Sequence, residues 1–144
     1  MDTEVQNRRR APMRVLLVDD QVWLRSALRF LLEQEPNLEI VGEEGTLTTV
    51  LGAVQQLHPD LVLLDWEMTG LKSADARKQL LAALRAAAPH VYIIALCGSE
   101  AAHHQRRMNG ADAFVSKAEP PEHLLAAVQQ AALVHAMDVP RLHH

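Results

Sequence analysis

A chain of 144 residues is the length of one ordinary domain, and 49% hydrophobic with 22% charged residues is a globular composition. The formal charge of -4, with the basic cluster Arg8-Arg9-Arg10 confined to a polar tail, argues against nucleic-acid binding by this chain alone. No apolar run approaches the ~20 residues of a membrane span, and MDTEVQNRRRAP lacks the apolar core of a signal peptide, so no membrane partner and a cytoplasmic location are expected.

Residues 1–12 carry no apolar periodicity, end at Pro12 and are expected to form a disordered N-terminal arm. Residues 14–18 are a nearly continuous apolar run stopped by Asp19-Asp20, the pattern of a strand buried on both faces. From Val22 to Gln34 apolar residues recur at helical spacing. Residues 38–41 predict a second strand and 46–57 a second helix, which ends before His58-Pro59. The third strand falls at 61–64, the third helix at 73–88 and the fourth strand at 91–96. A fourth helix is predicted over 100–108, with Ser99 as N-cap and Asn109-Gly110 as its stop. The fifth strand is 113–116, and Pro120-Pro121 opens a last helix to about residue 134. Five βα units in series imply an α/β fold: a doubly wound sheet of five parallel strands between two helical layers. The single cysteine, Cys97, lies in the strand-like run VYIIALC and is expected to pack as a small apolar residue.

In such a sheet, residues just past the carboxyl ends of neighbouring strands converge in one crevice. That places Asp19, Asp20 and Asp65 together with Lys117. Transfer of a phosphoryl group to a carboxylate needs positive charge on the moving oxygens. Mg²⁺ would supply most of it, held by Asp20, Asp65 and a backbone carbonyl near Glu67, with Asp19 reached through water. Lys117 would supply the rest and offset the repulsion among the carboxylates. Each residue alone is weak evidence, since a lone Asp after a strand is usually a turn former or cap. The whole set at one end of strands one, three and five is not expected by chance.

The segments LLVDDQ, LVLLDWEMTG and GADAFVSKAEPPEHLL resemble the signatures of the response-regulator receiver domain of two-component signalling, over about residues 13–134. The last segment is most similar to receivers of LuxR-type transcription regulators. The resemblance implies a flavodoxin-like, CheY-like (βα)₅ fold and phosphorylation of Asp65 by a sensor histidine kinase, with no enzymatic activity beyond phosphoryl transfer to and from Asp65. It also implies Mg²⁺ held by Asp19, Asp20 and Asp65, Lys117 as the phosphate partner, and an output face made by helix four, strand five and the last helix. On this reading 13–135 is the receiver, 136–144 is a tail or the start of a linker to an effector domain, and a homodimer is one open option.

Departures from the family pattern lie at four places. Ala95 stands where Thr or Ser is usual, which removes a hydrogen bond worth ~1.5–3 kcal/mol to a charged group and predicts a weakened switch. Phe114 keeps the aromatic switch position without the common Tyr hydroxyl. Thr69 replaces the Pro usual before Gly70, predicting a looser loop. Trp66 and Glu67 are expected at the rim of the crevice, either modulating access to it or simply solvated. Two other function classes remain open. DWEMT loosely resembles the motif of haloacid dehalogenase-type phosphatases, and Ala95 with Phe114 would suit a phosphorylation-independent pseudo-receiver interaction module. His103-His104, adjacent on one predicted helix, and the terminal His143-His144 do not suggest a zinc site.

Overall fold

A computed structural model describes residues 11–98 and 110–138 of the chain. Its elements are β1 (Met13–Val18), α1 (Val22–Glu33), β2 (Leu38–Glu44), a 3-10 turn (Leu47–Thr49), α2 (Val50–Leu57), β3 (Leu61–Asp65), α3 (Ala74–Ala87), β4 (Tyr92–Cys97), β5 (Ala113–Ser116) and α4 (Pro121–Asp138). The strands form one sheet in the order β2-β1-β3-β4-β5, and every pair is parallel. The first crossover thus runs outward to one edge, and the later ones run to the other.

The apolar runs become central strands because both their faces are covered. All five residues of β3 are buried, and β1 exposes only Arg14 in part. One face carries Leu16, Val62, Leu64 and Ile93 against Val50 and Val54 of α2 and Leu81 and Leu84 of α3. The other carries Val15, Leu17, Leu63 and Ile94 against Leu28 and Leu32 of α1 and Leu124 and Val128 of α4. At ~25 cal/mol per Å² of apolar surface removed from water, these two layers dominate the stability of the fold.

Several boundaries differ from the sequence expectations for local reasons. β2 runs three residues further than the predicted 38–41, because a register shift after Val15 pairs Leu16 with Gly42 and carries the ladder to Val18 and Glu44. The predicted helix over 46–57 starts as a 3-10 turn, since Thr46, Thr48 and Thr49 bond one another through their hydroxyls and compete with helical backbone bonds. α2 ends at His58, whose left-handed φ of 49° turns the chain into Pro59. α4 continues to Asp138, beyond the expected end near 134. The expected helix over 100–108, its cap Ser99, and the histidine pairs 103–104 and 143–144 lie outside the described residues, whereas Gly110 has the positive φ (72°) suited to a stop.

Candidate functional site

Asp19 follows β1 directly and is nearly sealed from solvent (1% exposed). Its backbone N–H donates to the Glu44 carbonyl, which fixes it beside the end of β2. Arg25 of α1 donates to its carbonyl oxygen at 2.7 Å. Its Oδ1 accepts from the Gln21 N–H at 2.9 Å, while Oδ2 is buried with no hydrogen-bond partner among the described residues. Burial, followed by the nearby Asp65 charge, pushes the Asp19 carboxyl up to about 6, against the Gln21 N–H and Lys117.

Asp65 ends β3 and is 2% exposed. Its Oδ1 accepts from the Glu67 N–H at 3.0 Å and from Lys117 Nζ at 2.9 Å. Lys117 is seated by its own N–H, which donates to the Cys97 carbonyl at 2.6 Å, and its ammonium lies 3.8 Å from Asp19 Oδ2. Asp20 is exposed, and its Oδ2 accepts both the backbone N–H (3.0 Å) and the hydroxyl (3.2 Å) of Thr69. Carboxylate oxygens of Asp19, Asp20 and Asp65 come within 4.8 Å of one another, so the predicted set does converge. A buried anionic oxygen without a donor, inside a triangle of carboxylates, suits a small hard cation.

Two expectations about the loop after Asp65 are overturned. Thr69 does not loosen it, because the N–H that proline would lack is one of two bonds to Asp20. Trp66 is not at the rim but buried (1% exposed). Its ring meets Phe114 edge-on, with centroids 5.9 Å apart at 87°. Of that pair only Glu67 is exposed, and a β-carbon at Gly98 would collide with its carboxylate.

Sequence reasoning missed Arg77. It is 7% exposed in α3, with its guanidinium carbon 5.1 Å from the centre of the Trp66 ring. Nη2 donates to the Trp66 carbonyl at 3.0 Å and Nε to the Leu71 carbonyl at 2.7 Å. Burial lowers its pKa from the ordinary arginine value, opposed by the neighbouring Cys97 and Glu67. The signal was available, since Arg77, Leu81 and Leu84 share one helical stripe and are the residues α3 buries.

Ala95 is fully buried in β4, opposite Leu64 on one side and Phe114 on the other. It shares the apolar cluster of Trp66 and Cys97, with Phe114 packed against that cluster, so this face holds methyl and aromatic groups where a hydroxyl was expected. Cys97 is buried as well, and burial pushes its thiol up to about 11, in keeping with packing over reactivity.

A five-stranded parallel α/β domain with three carboxylates and a lysine at the carboxyl ends of β1, β3 and β5 is a receiver-type signalling domain. The profile of the response regulator receiver domain matches residues 15–129, and the chain belongs to that family. The nitrate/nitrite response regulator protein NarP of Escherichia coli (strain K12) is 34% identical over 123 residues, 84% of this chain and 55% of that protein. NarL of the same strain is 29% identical over 121 residues, again 55% of its length, so the chain spans about half of these curated relatives. A LuxR-family two-component response regulator from Aurantimonas sp. SI85-9A1 superposes with a TM-score of 0.73 at 22% identity, covering 85% of this chain and 86% of that one. The response regulator domain of Thermotoga maritima CheB gives 0.67 at 25% identity, covering 84% and 96%. A protein-glutamate methylesterase/protein-glutamine glutaminase of Myxococcus xanthus is 38% identical over 90 residues, only 25% of that enzyme. The matched family is one of receiver domains. No helix among the described residues is long and apolar enough to cross a membrane.

Proposed function

We propose that this domain accepts a phosphoryl group on Asp65 from a phosphohistidine of a sensor kinase. The observation that carries the reading is the 2.9 Å contact of Lys117 Nζ with Asp65 Oδ1 beside the buried Asp19 Oδ2, which has no hydrogen-bond partner among the described residues. Because Oδ1 already accepts from Lys117 and the Glu67 N–H, Oδ2 of Asp65 is the oxygen assigned to attack phosphorus as the bond to the donor nitrogen breaks. Lys117 then pairs with a phosphoryl oxygen. Asp19, Asp20, Asp65 and the Glu67 carbonyl would hold Mg²⁺, which when bound supplies most of the positive charge that the transferring oxygens require.

Receiver boundaries at 13–135, a homodimer option and a cytoplasmic site of action belong to the same proposal. So does output through β5, α4 and the segment between β4 and β5. Similarity to NarP and NarL over about half their length supports service in a response regulator that controls transcription. The test is beryllofluoride with Mg²⁺ followed by fluorine NMR. A saturable bound signal is expected in the unaltered chain, and none in Asp65→Asn. Absence of the signal in both would favour the pseudo-receiver instead, and turnover of added phosphomonoesters would favour a phosphatase.

A further inference from the structure

We propose that Arg77 and Trp66 form the link through which a change at Asp65 reaches Phe114, in the place of the hydroxyl that Ala95 lacks. The proposal rests on the phosphoacceptor reading of Asp65, and goes beyond it by assigning Arg77 as a positioning residue.

A guanidinium in the buried stripe of a helix is costly unless its donors are satisfied. Here two carbonyl acceptors come from the loop after Asp65, those of Trp66 and Leu71. That loop also supplies the Glu67 N–H that holds Asp65 Oδ1, so α3 and the phosphoacceptor share one short stretch of backbone. Trp66 is held at four points. Its N–H donates to the Leu96 carbonyl at 2.8 Å, its carbonyl accepts from Arg77, one face of its ring lies under the guanidinium, and its edge meets Phe114. The indole Nε1 is buried without a hydrogen-bond partner among the described residues, so stacking and not a polar contact sets where the ring sits.

Coupling requires an element whose two arrangements make different contacts. At Ala95 the methyl has no donor with which to sense a phosphoryl oxygen. Trp66 has the needed position: it is the residue after Asp65 and touches the β5 aromatic directly. Adding a phosphoryl group competes for the Lys117 and Glu67 donors that now hold Asp65 Oδ1. The peptide that follows Asp65 shifts with them, and the ring carries that shift to Phe114. Arg77 makes the transmission rigid by fixing the Trp66 carbonyl to α3.

The sequence makes the test unusually clean, because it contains two tryptophans and two phenylalanines. Trp23 and Phe30 lie exposed on α1 and serve as internal references for Trp66 and Phe114. The full chain labelled with fluorotryptophan and fluorophenylalanine is titrated with Mg²⁺ and beryllofluoride, and the bound fluoride signal reports occupancy. Trp66 and Phe114 resonances are expected to shift with one midpoint, while those of Trp23 and Phe30 stay in place. In Arg77→Met the Phe114 shift at equal occupancy is expected to fall by half or more. Trp66→Leu, which keeps Arg77, is expected to give the same loss. A Phe114 shift of full size in either folded variant overturns the link while leaving the phosphoacceptor reading intact. No bound fluoride signal in the unaltered chain overturns both.

Discussion

Asp19 concentrates the electrostatic problem of the site in a single side chain. It is buried beside Asp65 with one oxygen that has no hydrogen-bond partner among the described residues, and its carboxyl is pushed up from 3.8 to about 6. The folded protein therefore binds this proton more tightly than the unfolded chain does. Where folding takes up a proton, stability falls as pH rises, so the loss begins near pH 4 and is complete somewhat above pH 6. A shift of this size corresponds to about 3 kcal/mol at most. Denaturant melts of the metal-free protein should show that destabilisation between pH 4 and 7 relative to Asp19→Asn, which has no carboxyl to titrate. Millimolar Mg²⁺ at pH 7 should recover most of it by occupying the oxygen that lacks a donor. Parallel pH profiles for the two proteins would refute the assignment.

At the scale of elements, α3 does two tasks with different parts of its sequence. Its start is set by Ser73, whose side chain accepts from the Ala76 N–H at 3.1 Å, with Asp75 in the first turn. Ser73→Ala is expected to lower stability by about 1 kcal/mol in urea titration, while Ser73→Asp should retain most of it. A loss no larger than experimental scatter would show that Arg77, and not the cap, anchors this end of the helix. The strand ends and the acidic set were legible in the sequence because continuous apolar runs cut off by Asp or Lys have few other readings. Ser73, expected as the first residue of its helix, is instead the cap one residue before it. Trp66 was not legible, since its burial depends on Arg77 and Phe114, which arrive from other elements and leave no trace in the loop itself. Thr69 was misread for a related reason. Replacing proline removes a stiff ring but also supplies an N–H, and only the nearby Asp20 decides which effect wins.

For the molecule as a whole, the strand order sets β4 between Asp65 and the proposed output strand β5. β1 and β3 are central and carry the carboxylates, whereas β5 is an edge strand of four residues that carries Phe114 and leads into Lys117. Between β3 and β5 the strand β4 presents the buried methyl of Ala95, which the Trp66–Phe114 contact spans. Ala95→Thr brings two opposed effects. The hydroxyl adds a contact to a phosphoryl oxygen worth roughly 1.5–3 kcal/mol in the phosphorylated state. The added bulk enters a filled cluster beside Trp66 and Phe114, where overpacking costs about 1–3 kcal/mol. The variant is expected to melt at lower temperature, yet to show a larger beryllofluoride-induced change in the backbone amides of β5 and α4. Trp66→Leu relieves the crowding, so the double variant should regain stability beyond the sum of the single changes. It should also keep the enlarged response, now transmitted by the hydroxyl. If the double variant instead loses the response that Ala95→Thr gained, the hydroxyl depends on the Trp66 ring, and the two routes are one.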